Sequence, residues 1–174
     1  MKNNTEKDWT GNKNSIFKTL GASNHTDKER QNEDYYATDP IAIDVLLKDG
    51  GVTFDKPIWE CSCGEGHLSE RLKSFGYEVR STDLIDRGYG EGGIDFLTYN
   101  QPWNGDILTN PPYKYAKEFI EHAMTLIPDG CRVFMFLKVQ FLEGKARKEL
   151  FKKYPTKMCL CFKQSYLMCE KRSF

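Results

Sequence analysis

Apolar positions along the chain alternate between short continuous runs and stripes at helical spacing. Ile41, Ala42, Val45 and Leu46 form a first stripe, with Asp39 a fitting N-cap, Pro40 a fitting first helical residue and Gly50-Gly51 the stop. Pro57 to Cys61 reads as a buried strand, Leu68, Leu72 and Phe75 as a helix face closed by Gly76, and Tyr77 to Asp83 as a second strand. A glycine-rich loop, 88–93, leads to a short apolar piece, Ile94 to Leu97, read as a weaker strand. Asp106 to Thr109 is the next strand. Ala116, Phe119, Ile120, Ala123, Met124 and Ile127 mark the clearest helix, stopped by Pro128-Asp129-Gly130. Cys131 to Val139 is almost wholly apolar, as a central parallel strand buried on both faces must be. Ala146, Leu150, Phe151 and Tyr154 mark a last helix, and Met158 to Met168 is strand-like. The alternation predicts an α/β fold, a mostly parallel sheet with helices on both faces.

The 174 residues suit one domain of ordinary size. The first 34 are rich in Asn, Lys, Asp, Glu and Thr and read as a polar arm, residues 1–34, with little structure of its own. The folded domain is expected over 35–174. The longest apolar run, Val133 to Leu137, is far too short to span a bilayer, and Met1-Lys2-Asn3-Asn4 opens no signal peptide, so a cytoplasmic protein is expected.

Formal charge is zero overall, but residues 1–113 carry 12 Lys and Arg against 19 Asp and Glu, while residues 114–174 carry 13 against 6. The basic C-terminal third suits contact with a polyanion, with a solvated helix face as the plainer alternative. Six cysteines include two Cys-x-Cys pairs, Cys61/Cys63 and Cys159/Cys161, whose spacing does not suit a zinc site. They read as reduced thiols buried on strands, and no metal is expected.

Chemistry is concentrated where strands end, the edge at which open α/β sheets bind ligands. Glu60-Cys61-Ser62-Cys63-Gly64-Glu65-Gly66-His67 is a strand entering a glycine loop that opens a helix. It lacks the Gly-Lys-Ser/Thr of a P-loop, and the third glycine of a dinucleotide fingerprint would fall at Ser69. Asp83 closes the next strand, placed to accept both hydroxyls of a ribose. Asp95-Phe96 pairs an acceptor with an aromatic face suited to an adenine ring. Asn110-Pro111-Pro112-Tyr113 follows the strand at 106–109. The prolines make a rigid loop whose carbonyls remain acceptors. An exocyclic amino group is a poor nucleophile because its lone pair is delocalised into the ring. The Asn110 side-chain carbonyl and the Pro111 backbone carbonyl can accept its two N–H groups and free that lone pair, while Tyr113 offers a face for a planar base.

With these residues the chain resembles the class I S-adenosylmethionine-dependent methyltransferases, and within them the DNA N6-adenine methyltransferases of a small phage-type subgroup. The likeness runs over about residues 14–174. It is carried by Asn24-His25-Thr26, Tyr35 to Pro40, Trp59-Glu60, Gly64 to Ser69, Asp83-Leu84 and Asn110 to Tyr113. It implies a Rossmann-like three-layer sandwich and S-adenosylmethionine as cofactor. Tyr36, Thr38 and Pro40 would lie along its methionine part, Glu60, Gly64 and Gly66 form its loop, Asp83 hold its ribose and Asp95 and Phe96 its adenine, with Asn110 to Tyr113 catalytic. The implied partner is DNA, with Lys145, Arg147, Lys148, Lys152 and Lys153 as phosphate contacts, in the cytoplasm of a phage host or prophage carrier. An RNA base, a protein glutamine, or a catalytically inactive binding role are the alternatives.

Three departures accompany the likeness. Cys61-Ser62-Cys63 replaces the Pro-Ala-Cys or similar run common after the motif acid. Family sheets finish with a β-hairpin after the last helix, and here only one strand or two short ones fit before Phe174, so the hairpin reads as incomplete. There is also no large insertion of the kind that reads target sequence.

Overall fold

A computed structural model describes residues 38–161 and 166–172. Tyr36 and the 1–34 arm lie outside the described residues. Strands β1 (Ile58–Glu60), β2 (Val79–Ser81), β3 (Asp106–Thr109), β4 (Arg132–Lys138), β5 (Met158–Cys161) and β6 (Tyr166–Arg172) form one sheet in the order β2-β1-β3-β4-β6-β5. The pairings among β2, β1, β3 and β4 are parallel, while β6 runs antiparallel to β4 and to β5. The chain thus ends in two strands. The shorter, β5, matches four positions of β6, Met158 to Cys161 against Glu170 to Leu167.

The central strands divide their side chains by parity, which is why they read as unbroken apolar runs. Trp59, Ile107, Val133, Met135 and Leu137 enter one core. Ile58, Leu108, Phe134 and Phe136 enter the other. The first core is covered by α3 (Ala116–Leu126), through Phe119, Ile120 and Ala123, and by Leu150 of α4 (Lys148–Lys153). The second is covered by α1 (Ile41–Asp44, continuing π-helically over Val45–Asp49) and α2 (His67–Ser74), through Ile43, Leu46, Leu68 and Leu72. Helices, sheet and helices make three layers. Asp39 caps α1 as its position predicts, its carboxylate accepting the Ile41 N–H at 3.0 Å.

Three expectations are corrected. Ile94–Leu97 is not a strand. Asp95 accepts the Leu97 N–H at 3.0 Å and starts a 3₁₀ turn over Phe96–Thr98, and the edge beyond β2 is met by a single parallel bridge, Thr82 to Glu91. Phe75, expected on the buried face of α2, is 40% exposed and lies beneath the Arg71 guanidinium. Cys61, Cys63 and Cys131 are buried, but Cys159 and Cys161 are exposed on β5, where the strand is covered on one face only.

Candidate active site

Because β1, β2, β3 and β4 are parallel, their carboxyl ends share one edge of the sheet. That edge carries Glu60, Asp83, the Asn110 loop and Lys138. Gly64 and Gly66 both have positive φ, 55° and 83°, so the loop after β1 turns as only glycine does readily. The Gly64 N–H donates to Asp83 at 2.8 Å and the Ile85 N–H donates to the other carboxylate oxygen at 2.9 Å. A carboxylate has about four lone-pair positions, so this leaves each oxygen capacity toward a hydroxyl. Asp83 is only half-buried, and the two side chains after it, Leu84 and Ile85, are 62% and 48% exposed.

Glu60, expected as part of the cofactor loop, ends β1. Its side chain is buried and accepts from the Ser69 hydroxyl, which also pairs with the Ser81 hydroxyl at 2.6 Å. Burial pushes its pKa up to about 8, opposed by the Ser69 bond. Ser69 thus stands at the position of a third fingerprint glycine because its hydroxyl joins β1, α2 and β2. Burial likewise pushes the Cys63 thiol up to about 12 and the Cys61 thiol higher, so neither is a ready thiolate.

Gly66 is approached by protein: a Cβ there would run into the Tyr89 ring. The Tyr89 hydroxyl donates to Glu70 at 2.6 Å and accepts from Lys73 at 2.8 Å. Pro40 and Gly66, far apart in sequence, line one open groove of about 350 Å³ beside α2.

Phe96, expected beside the adenine, lies in the aromatic core. It is 2% exposed and packs against Phe119, His122 and Trp59 with ring centroids 4.8, 5.2 and 5.4 Å apart. Asp95 is the cap described above.

At the end of β3, Asn110 Nδ2 donates to Thr38 Oγ1 at 2.7 Å. This joins the segment before α1 to the Asn-Pro-Pro-Tyr loop, across 72 positions of sequence. Pro111 is buried and Tyr113, half-buried, begins a 3₁₀ turn. The Lys138 ammonium lies 4.6 Å from the centroid of the Tyr113 ring.

The basic residues near α4 divide. The Arg147 guanidinium donates to the Gln140 and Phe141 carbonyls at 2.8 and 2.7 Å and lies over the Phe141 ring, so it serves as a loop clamp. Lys152 pairs with Glu149 at 2.8 Å and Lys153 lies over Tyr154. Lys145 and Lys148 begin the segment.

Sequence reasoning did not single out Ser69, Ser81, Tyr89 or Lys138 as functional. Lys138 had a legible signal, a charge ending an apolar run at a strand's carboxyl end, and so did Tyr89, an aromatic between two glycines.

No family model matches the chain, and no curated protein matches it. Solved structures do. TrmN from Thermus thermophilus superposes with a TM-score of 0.55 at 16% identity, over 78% of this chain and 49% of TrmN. The T. thermophilus 16S rRNA N2 G1207 methyltransferase RsmC, solved with AdoMet and guanosine, gives 0.56 at 16% identity, over 80% of this chain and 44% of RsmC. The glycopeptide N-methyltransferase MtfA, complexed with sinefungin, gives 0.61 at 10% identity, over 81% and 96%. The chain spans about half the length of TrmN and less than half of RsmC. These likenesses establish the fold, a Rossmann-like three-layer sandwich shared with the RsmC and MtfA methyltransferases. Among the described residues no helix is long and apolar enough to cross a membrane.

Proposed function

We propose that the protein is an S-adenosylmethionine-dependent methyltransferase acting on the exocyclic amino group of adenine in DNA. The observation that carries this reading is Asn110, held at the carboxyl end of β3 with its amide donating to Thr38. A hydroxyl can accept or donate, so that bond fixes where the amide sits, with Nδ2 turned toward Thr38. The opposite end is then the acceptor, the role required toward an amino N–H.

The strand-end residues fit the cofactor. Asp83 retains acceptor capacity for the ribose hydroxyls, and exposed Leu84 and Ile85 beside it offer apolar cover for the adenine in place of Phe96. Bound there, the cofactor supplies an electrophilic methyl group on a sulfonium.

The chain's own residues then have distinct tasks. Asn110 Oδ1 and the Pro111 carbonyl accept the two amino N–H groups of the target base, which keeps the nitrogen lone pair out of the ring and directs it at the methyl carbon. Tyr113 stacks on the extruded base. The proton released by the amino group leaves through these acceptors to water. The same acceptors suit a guanine amino group, and likeness to RsmC, a 16S rRNA N2 G1207 methyltransferase, makes RNA the second reading.

Asn110→Ala tests the assignment. Calorimetry should find S-adenosylmethionine affinity within a few-fold of the parent, while methyl transfer falls about 100-fold, typical for loss of one preorganised polar group. Transfer at the parent rate would refute the catalytic loop.

A further inference from the structure

β4 lies directly beside β3, with Leu108 opposite Phe134 and Thr109 opposite Met135. The residues that follow each register therefore emerge side by side, the Asn-Pro-Pro-Tyr loop from β3 and Lys138 from the end of β4. Lys138 is exposed after five buried apolar residues, Val133 to Leu137. Its ammonium lies 4.6 Å from the centre of the Tyr113 ring, the face on which the target base is to stack. A cation over an aromatic face at an exposed site is held weakly. A phosphate holds it more strongly, through charge-assisted hydrogen bonds.

We propose that Lys138 is a substrate-specificity residue that recognises the phosphate of the nucleotide whose base stacks on Tyr113. The site thereby selects a nucleotide within a polynucleotide strand over a free base or nucleoside. The inference rests on the amino-methylating reading above and adds the substrate's phosphate to it. A base arriving on Tyr113 takes the ring face from the ammonium, and the flexible four-carbon stem carries the charge to the base's edge, where the sugar phosphate lies. In the free protein the ammonium lies against the Tyr113 ring, beside the position the base would take. Lys138 lies outside the α4 segment, so the contact is local to the reacting nucleotide and independent of any distant basic patch.

The test is binding, measured by fluorescence anisotropy with a labelled single-stranded DNA 12-mer containing one adenine, for the parent, Lys138→Gln and Lys138→Arg. Lys138→Gln should weaken binding about tenfold and reduce the log–log salt slope by about 0.7, one phosphate contact on a single strand. Lys138→Arg, which keeps the charge, should recover most of both. As unlabelled competitors, 2′-deoxyadenosine 5′-monophosphate should displace the strand better than 2′-deoxyadenosine from the parent, and the two should be equal on Lys138→Gln. Unchanged strand binding in Lys138→Gln, equal competition on the parent, or no strand binding by the parent would each overturn the inference. Failure of the methyltransfer reading has a separate signature: Lys138-dependent strand binding with no methyl reaching any adenine.

Discussion

Glu60 ends β1 with its carboxyl buried, accepting from Ser69, which in turn meets Ser81. Desolvation is the dominant influence and favours the neutral acid, while Asp83 pushes in the same direction and Lys73 in the opposite one. The folded protein therefore keeps this proton up to about pH 8, whereas an unfolded glutamate releases it near 4.5. Between those values the native state binds the extra proton, so stability falls as pH rises and levels off above about 8. Glu60→Gln, neutral at every pH, should lack that component. Urea unfolding across this pH window should show the parent losing stability relative to the variant as pH rises. Parallel pH profiles would place Glu60 in a more polar setting than the structure does.

At the scale of elements, β3 and β4 are tied at both ends. Their carboxyl ends present Asn110 and Lys138, and their amino ends are joined by Asp106 and Arg132. Asp106 is 1% exposed. It accepts from the Arg132 guanidinium at 2.6 and 3.0 Å and from the Arg132 backbone N–H at 2.7 Å. Arg132 also donates to the Thr53 carbonyl at 2.7 Å and covers the Phe54 and Phe134 rings. Removing one partner of a buried pair leaves the other charge uncompensated. Arg132→Ala should cost about 3 to 5 kcal/mol by that reasoning, read as a lower urea midpoint. Because the pair sits at the edge opposite the site, cofactor affinity of the folded fraction should remain near that of the parent. A midpoint within experimental error of the parent would contradict the pair's role.

Across the whole molecule, the strand–helix alternation was legible because burial on both faces makes central strands continuous in apolar residues, as Val133 to Leu137 are. Ile94 to Leu97 misled for the same reason. Phe96 is apolar because it enters the aromatic core beside Trp59 and Phe119, and a short apolar run does not show whether its backbone is paired or turned. Asp83 and Asn110 were legible from their places after strands. The bonds that position them were not: Gly64 to Asp83, Thr38 to Asn110 and Ser69 to Glu60 join residues 19, 72 and 9 positions apart, and such partnerships depend on the folded geometry. Arg147 looked like a phosphate contact because charge alone does not distinguish a solvated arginine from one that clamps carbonyls.

The proposed reaction is delivery of a methyl group to the amino nitrogen of adenine at the Asn110 loop. Its most direct test is mass spectrometry of nucleosides digested from DNA after incubation with the protein and S-adenosylmethionine carrying an isotopically labelled methyl group. Labelled N6-methyl-2′-deoxyadenosine is expected with the parent and about 100-fold less with Asn110→Ala. Unlabelled DNA, or label on cytosine or guanine, under conditions where the protein binds the cofactor would contradict it.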